Sequence, residues 1–144
     1  MSGIVCAIRG GPASRPTIEK AISLAKETEL PLNFLYVVNL DFLAFTSSSR
    51  IHLISKQMRE MGEFILITAQ SKAQSEGVPA EGIVRQGNIR EEIISLCLET
   101  DARYVVLGKP KIQSEEENVF TKEHLDEFAQ SLKTESGAEI VLTE

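Results

Sequence analysis

Short apolar runs and helical periodicities alternate along this chain. Ile4-Val5-Cys6-Ala7-Ile8 is continuously apolar and is cut off at Gly10-Gly11-Pro12, as expected of a strand buried on both faces of a parallel sheet. Pro16 then stands where a first helical turn accepts proline. Ile18, Ala21, Ile22 and Ala25 recur at helical spacing, with Glu19, Lys20, Lys26 and Glu27 between them. Leu30-Pro31 breaks that helix, and Leu32 to Val38 reads as a second strand.

Asn39 to Ser49 follows neither period. It is predicted to be a loop that packs its own Phe42 and Phe45 and ends at a serine helix cap. Beyond it Ile51, Ile54, Met58, Met61, Ile65 and Thr68 repeat every three or four residues. That stripe predicts a long helix with both methionines in the core, closed at Gly77. Ala80 to Arg85 is a weaker strand, expected near a sheet edge, and Gln86-Gly87-Asn88 turns the chain. Ile89, Ile93, Ile94, Leu96 and Cys97 form the next helix, with Glu91 and Glu92 in its favourable first turns. Tyr104 to Leu107 is a fourth strand, stopped by Gly108. After the polar Lys109–Asn118 segment, Thr121 caps a helix carrying Leu125, Phe128, Ala129 and Leu132 on one face. Ser136-Gly137 ends it, and Ile140-Val141-Leu142 is a fifth strand.

This β-α-β-α-β-α-β-α-β order argues for one parallel sheet with helices on both faces and right-handed crossovers. No internal repeat or linker divides it, so residues 1–144 are expected to form a single domain. At 144 residues, 42% hydrophobic and 25% charged, the composition excludes disorder and disulfide-stapled miniproteins. The net charge of −6 offers no general attraction to nucleic acid or an anionic membrane. Cys6 and Cys97 stand in apolar stretches and read as buried thiols. There is no secretion-signal pattern at the start, and no apolar run approaches the ~18 residues needed to span a bilayer. A cytoplasmic protein is expected.

In open α/β sheets, ligands bind outside the carboxyl ends of the strands, where strand order reverses. Two glycine-marked loops qualify. Arg9-Gly10-Gly11 follows strand one, and Gly108-Lys109-Pro110-Lys111 follows strand four. Gly10 and Gly11 can turn backbone N–H groups toward an anion just before a helix, with Arg9, Lys109 and Lys111 adding positive charge. Val38, at the end of strand two, completes the candidate ligand-binding set. The plainer reading is a tight glycine turn beside solvated basic residues. Glu115-Glu116-Glu117 would repel a polyphosphate. His52 and His124 lie on predicted helices without metal-ligand spacing, and neither G-x-S-x-G nor a Walker-type loop is present. Neither a catalytic residue nor a metal site is therefore assigned.

The opening strand with Gly10, Ser14 and the Ala21/Ala25 helix resembles the start of a universal stress protein domain. So do Val84-Arg85-Gln86-Gly87-Asn88-Ile89-Arg90-Glu91-Glu92-Ile93 and Tyr104-Val105-Val106-Leu107-Gly108. The resemblance implies a three-layer, doubly wound α/β sandwich similar to the adenine nucleotide alpha hydrolases. Its five-stranded parallel sheet would have order 3-2-1-4-5 with about four helices. It also implies a stress-response role and a homodimer formed through the last strand, here Ile140, Val141 and Leu142. Nucleotide-binding members end strand one in aspartate and follow strand four with G-x-x-G, nine residues and G-[ST]. Here Arg9 replaces the aspartate, Gly108 matches the first glycine, Lys111 stands at the second, and Thr121-Lys122 stands near the last pair.

Three functions follow. The first is a non-enzymatic regulatory protein, dimeric, with protein partners and no cofactor. The second is a divergent module that binds ATP, AMP or another anion in the crevice. The third is an enzyme similar to the ATP pyrophosphatases, whose S-G-G-x-D-S loop Arg9-Gly10-Gly11-Pro12-Ala13-Ser14 matches in part.

Overall fold

The structure is a computed structural model and describes residues 3–8, 14–38, 48–108 and 127–143. Along the chain run β1 (Gly3–Ala7), α1 (Arg15–Thr28), β2 (Leu32–Val38), α2 (Ser48–Ser75), β3 (Ala80–Gln86), α3 (Ile89–Thr100) and β4 (Ala102–Gly108). A helix over 127–136, α4, and then β5 (Glu139–Thr143) complete the described elements. All adjacent strand pairs are parallel, in the order β3-β2-β1-β4-β5. This is the order the resemblance implies, with β1 central.

Strand alternation divides the core into two layers. Ile4, Cys6, Phe34, Tyr36 and Val106 pack with Ala21, Ile22 and Ala25 of α1 and Leu66, Ala69 and Ala73 of α2. On the other face Val5, Leu35, Val105 and Leu107 pack with Ile93, Leu96 and Cys97 of α3 and Leu132 of α4. Both faces of the inner strands are covered, so β1, Phe34–Val38 of β2 and Tyr104–Leu107 of β4 read as apolar runs. β3 lies at an edge, with Glu81 and Gly82 exposed.

Local chemistry explains the helix ends. Asn88 caps α3 by accepting the Glu91 backbone N–H at 3.1 Å, and Glu91 and Glu92 stand in the positive first turn. Gly77 follows α2 at φ +82°, as predicted of a closing glycine. α1 ends instead on Glu29 in the left-handed region (φ 59°), whose N–H bonds the Ala25 carbonyl.

One expectation is corrected on α2. Met61 is 58% exposed, and Met58 is only partly buried. The row facing the sheet is Leu66, Ala69 and Ala73, with Gly62 against Tyr36. A Cβ at Gly62 would fall 2.4 Å from the Tyr36 ring, so the helix seats itself through its smallest residues. Met58 and Ile65 of the predicted stripe do pack against this layer, so hydropathy periodicity found one border of the buried face and missed the small residues at its centre. The Phe42 and Phe45 loop and the Thr121 cap lie outside the described residues.

Candidate functional site

Strand order reverses between β1 and β4. At their carboxyl ends lies a cavity of about 140 Å³. Ala7 and Ile8 form one wall with Leu107 and Gly108, and Leu35 to Val37 of β2 form another. Ile89 and Ile93 of α3 and Phe128 of α4 close the third side. None of these described side chains is charged, and the Tyr36 ring packs on the other face of the sheet, against Gly62.

Of the predicted ligand-binding residues, the structure places Gly108 on the cavity wall. Val38 ends β2 nearby, but its side chain is fully buried in the α1/α2 layer. Its carbonyl accepts the Gly87 N–H at 3.0 Å. Arg9, Gly10, Gly11, Lys109 and Lys111 lie outside the described residues, as do His124 and the Glu115–Glu117 run. Phe128, Ile89 and Ile93 were not singled out for the site by sequence. Each belongs to a helix pattern that reads as core, and only packing brings the two helices to one cavity.

Beside the cavity, the end of β4 meets the first turn of α1. Thr17 and Thr143 are both buried, and their hydroxyls lie 2.8 Å apart. Thr143 donates to the Leu107 carbonyl at 3.3 Å, which leaves Thr17 as donor to Thr143. A Cβ on Gly108 would lie 2.6 Å from Thr17 Oγ1. Gly108 is thus required for close helix–strand contact, whatever it does for a ligand.

Neither cysteine is poised for chemistry. Cys6 faces the α1/α2 layer and Cys97 the α3/α4 layer. Burial raises the Cys6 thiol far above its ordinary range and pushes Cys97 up to about 12. Both remain protonated, and the thiolate is the reactive form. Among the described residues no group of three or more His, Cys, Asp or Glu is placed to hold a metal ion. No helix among them is long and apolar enough to cross a membrane.

The sheet order agrees with known proteins. The sequence profile of the universal stress protein family matches residues 1–121. The chain belongs to the universal stress protein family. Universal stress protein YxiE of Bacillus subtilis is 28% identical over 113 residues, which span 73% of this chain and 76% of that one. Universal stress protein UspA from Lactobacillus plantarum superposes with a TM-score of 0.77 at 13% identity, covering 99% of this chain and 97% of its own. A universal stress protein solved in complex with cAMP gives a TM-score of 0.71 at 14% identity, covering 99% and 97%.

Proposed function

We propose that this universal stress protein acts without catalysis, as a cytoplasmic regulatory homodimer that works through protein partners and holds no nucleotide in the family manner. The crevice carries this reading. Its volume of about 140 Å³ lies below the roughly 300–1,000 Å³ usual for pockets that enclose a ligand. Its described walls supply no charged group to meet a phosphate. The sequence departs in the same direction. Lys111 brings a Cβ where nucleotide-binding relatives use glycine to let phosphate approach the backbone.

A second reading has its own support, since a relative of the same fold was solved with cAMP. In that reading Arg9, Gly10, Gly11, Lys109 and Lys111 hold an anion, and the ligand is ATP or AMP. Native mass spectrometry with and without Mg-ATP separates the two. The expected result is a dimer with no adduct. A stoichiometric ATP or AMP adduct that Arg9→Ala abolishes would overturn the first reading in favour of the second.

A further inference from the structure

α2 is seated on the sheet through Gly62, Leu66, Ala69 and Ala73. At 3.6 residues per turn, Leu53, Phe64 and Ile67 stand on the opposite side of the same helix, with Met61 at their border. Leu53 is 57% exposed, Phe64 71%, Ile67 61% and Met61 58%. They are four of the six large hydrophobic side chains left exposed among the described residues, so one helix face carries most of that surface. The stripe runs about 21 Å from Leu53 to Ile67. A contiguous apolar patch rimmed by polar residues marks an interaction surface.

The polar residues of that face say what fits it. Leu53, Gln57, Glu60, Phe64 and Ile67 follow one another in alternating steps of four and three, the spacing of a coiled-coil seam. Lys56 and Glu63 stand one heptad apart on one flank of the seam. Two copies related by a two-fold axis run their helices antiparallel and bring the same flank of each together. With the axis crossing the seam between Gln57 and Glu60, Leu53 of one copy meets Phe64 of the other. Gln57 then faces Glu60, and Lys56 comes beside Glu63. Symmetry makes every one of these contacts twice, so the seam is its own complement in charge and in apolar surface. Other charges of α2 are already engaged: Lys72 pairs with Glu19 at 3.9 Å, and Arg59 donates to Gln86 at 3.0 Å. Among the described residues no ion pair involves Lys56, Glu60 or Glu63.

We propose that this face of α2 docks on the same face of a second copy of the chain, as an antiparallel helix pair. A single helix pair buries less than the roughly 1,600 Å² of a standard stable interface, so a Kd on the order of 100 μM is expected. The contact forms in concentrated solution and leaves the oligomer present at low micromolar concentration as it is. α2 lies over β2 and β3, whereas β5 is the opposite edge of the sheet, so the two contacts do not compete. A dimer made at β5 would associate further through α2, and a monomer would pair through it.

The test is sedimentation velocity from about 10 μM to about 1 mM at low ionic strength, where surface charge pairs are least screened. The sedimentation coefficient is expected to rise with concentration. The species at the dilute end reports separately on the β5 dimer. Phe64→Ser, at an exposed position that keeps the fold, should weaken the association at least about tenfold. Lys56→Glu places two like-charge contacts in each pair and should weaken it about tenfold. Glu63→Lys should weaken it equally, although it reduces the net charge of −6 and would by that alone favour non-specific association. The double variant Lys56→Glu/Glu63→Lys should restore the wild-type constant. A wild-type protein with no concentration dependence would overturn the proposal, as would a Phe64→Ser variant that associates like wild type. So would tighter association in Glu63→Lys, or a double variant no tighter than the single ones.

Discussion

The hydroxyl of Thr17 ties three parts of the chain together. It meets Thr143 on β5, which in turn bonds the Leu107 carbonyl on β4, and it fills the space above Gly108. Family resemblance marks Gly108 as a ligand glycine, whereas the packing marks it as a contact glycine. The two roles make different predictions. Gly108→Ala drives a Cβ against Thr17 Oγ1, and overpacking of this kind costs about 1–3 kcal/mol. Thr17→Ala alone loses one hydrogen bond, worth ~1 kcal/mol. In the double variant the clash is gone, so the two costs should fall short of additivity by at least ~1 kcal/mol. Urea denaturation of the four proteins measures this. Simple additivity would mean that the glycine is not held there by Thr17.

At the scale of elements, the strands were legible and the seat of α2 only in part, through Met58 and Ile65. β1, β2 and β4 are covered on both faces, so burial writes itself into the sequence as apolar runs, broken only near the strand starts at Asn33 and Arg103. The Asn88 turn and the edge placement of β3 follow from equally local signals. α2 makes its sheet contact through Gly62, Leu66, Ala69 and Ala73, while Met61, Phe64 and Ile67 stay exposed. Three of those four contact residues carry almost no hydropathy signal, because closeness rather than apolar bulk is what they provide. The crevice was legible only in part for a related reason. Gly108 announces a strand end, but the wall that Ile89 and Phe128 build comes from two helices that meet only in the fold.

The close seating of α2 on Tyr36 sets the sign of a mutation that helix propensity gets wrong. Gly62→Ala should gain roughly 1 kcal/mol from propensity alone. The new methyl would instead stand 2.4 Å from the ring of Tyr36, which is 7% exposed and hemmed in by the core. Net destabilisation of about 1–2 kcal/mol is expected in the wild-type background. In a Tyr36→Ala background the ring is absent, and the same substitution should stabilise. Chemical denaturation that gives one sign in both backgrounds would contradict the close seating of the helix.

On the scale of the whole molecule, the sheet has two edges, and they differ in how they are defended. On β3, Glu81 and Gly82 are exposed, and Arg85 pairs with Glu99 at 2.6 Å and Glu92 at 3.8 Å. Gln86 is held by Ser55 and Arg59 of α2. Charged side chains along an edge discourage pairing with another sheet. β5 offers Ile140, Val141 and Leu142, all half-buried, and among the described residues no strand lies beyond its outer side. The proposed dimer is therefore expected at β5, where a second copy would continue the sheet. Adjacent residues of a strand point their N–H groups to opposite sides. One of Ile140→Pro and Val141→Pro thus removes an outward N–H and keeps the β4 ladder, while the other breaks that ladder and unfolds the strand. The folded variant of this pair should dimerise at least about 100-fold more weakly, by ~2.7 kcal/mol. The same pair of substitutions on β3, Ile83→Pro and Val84→Pro, should give one folded variant that remains dimeric. Sedimentation velocity on the folded members decides between the edges. A dimeric β5 variant, or a monomeric β3 variant, would place the interface elsewhere.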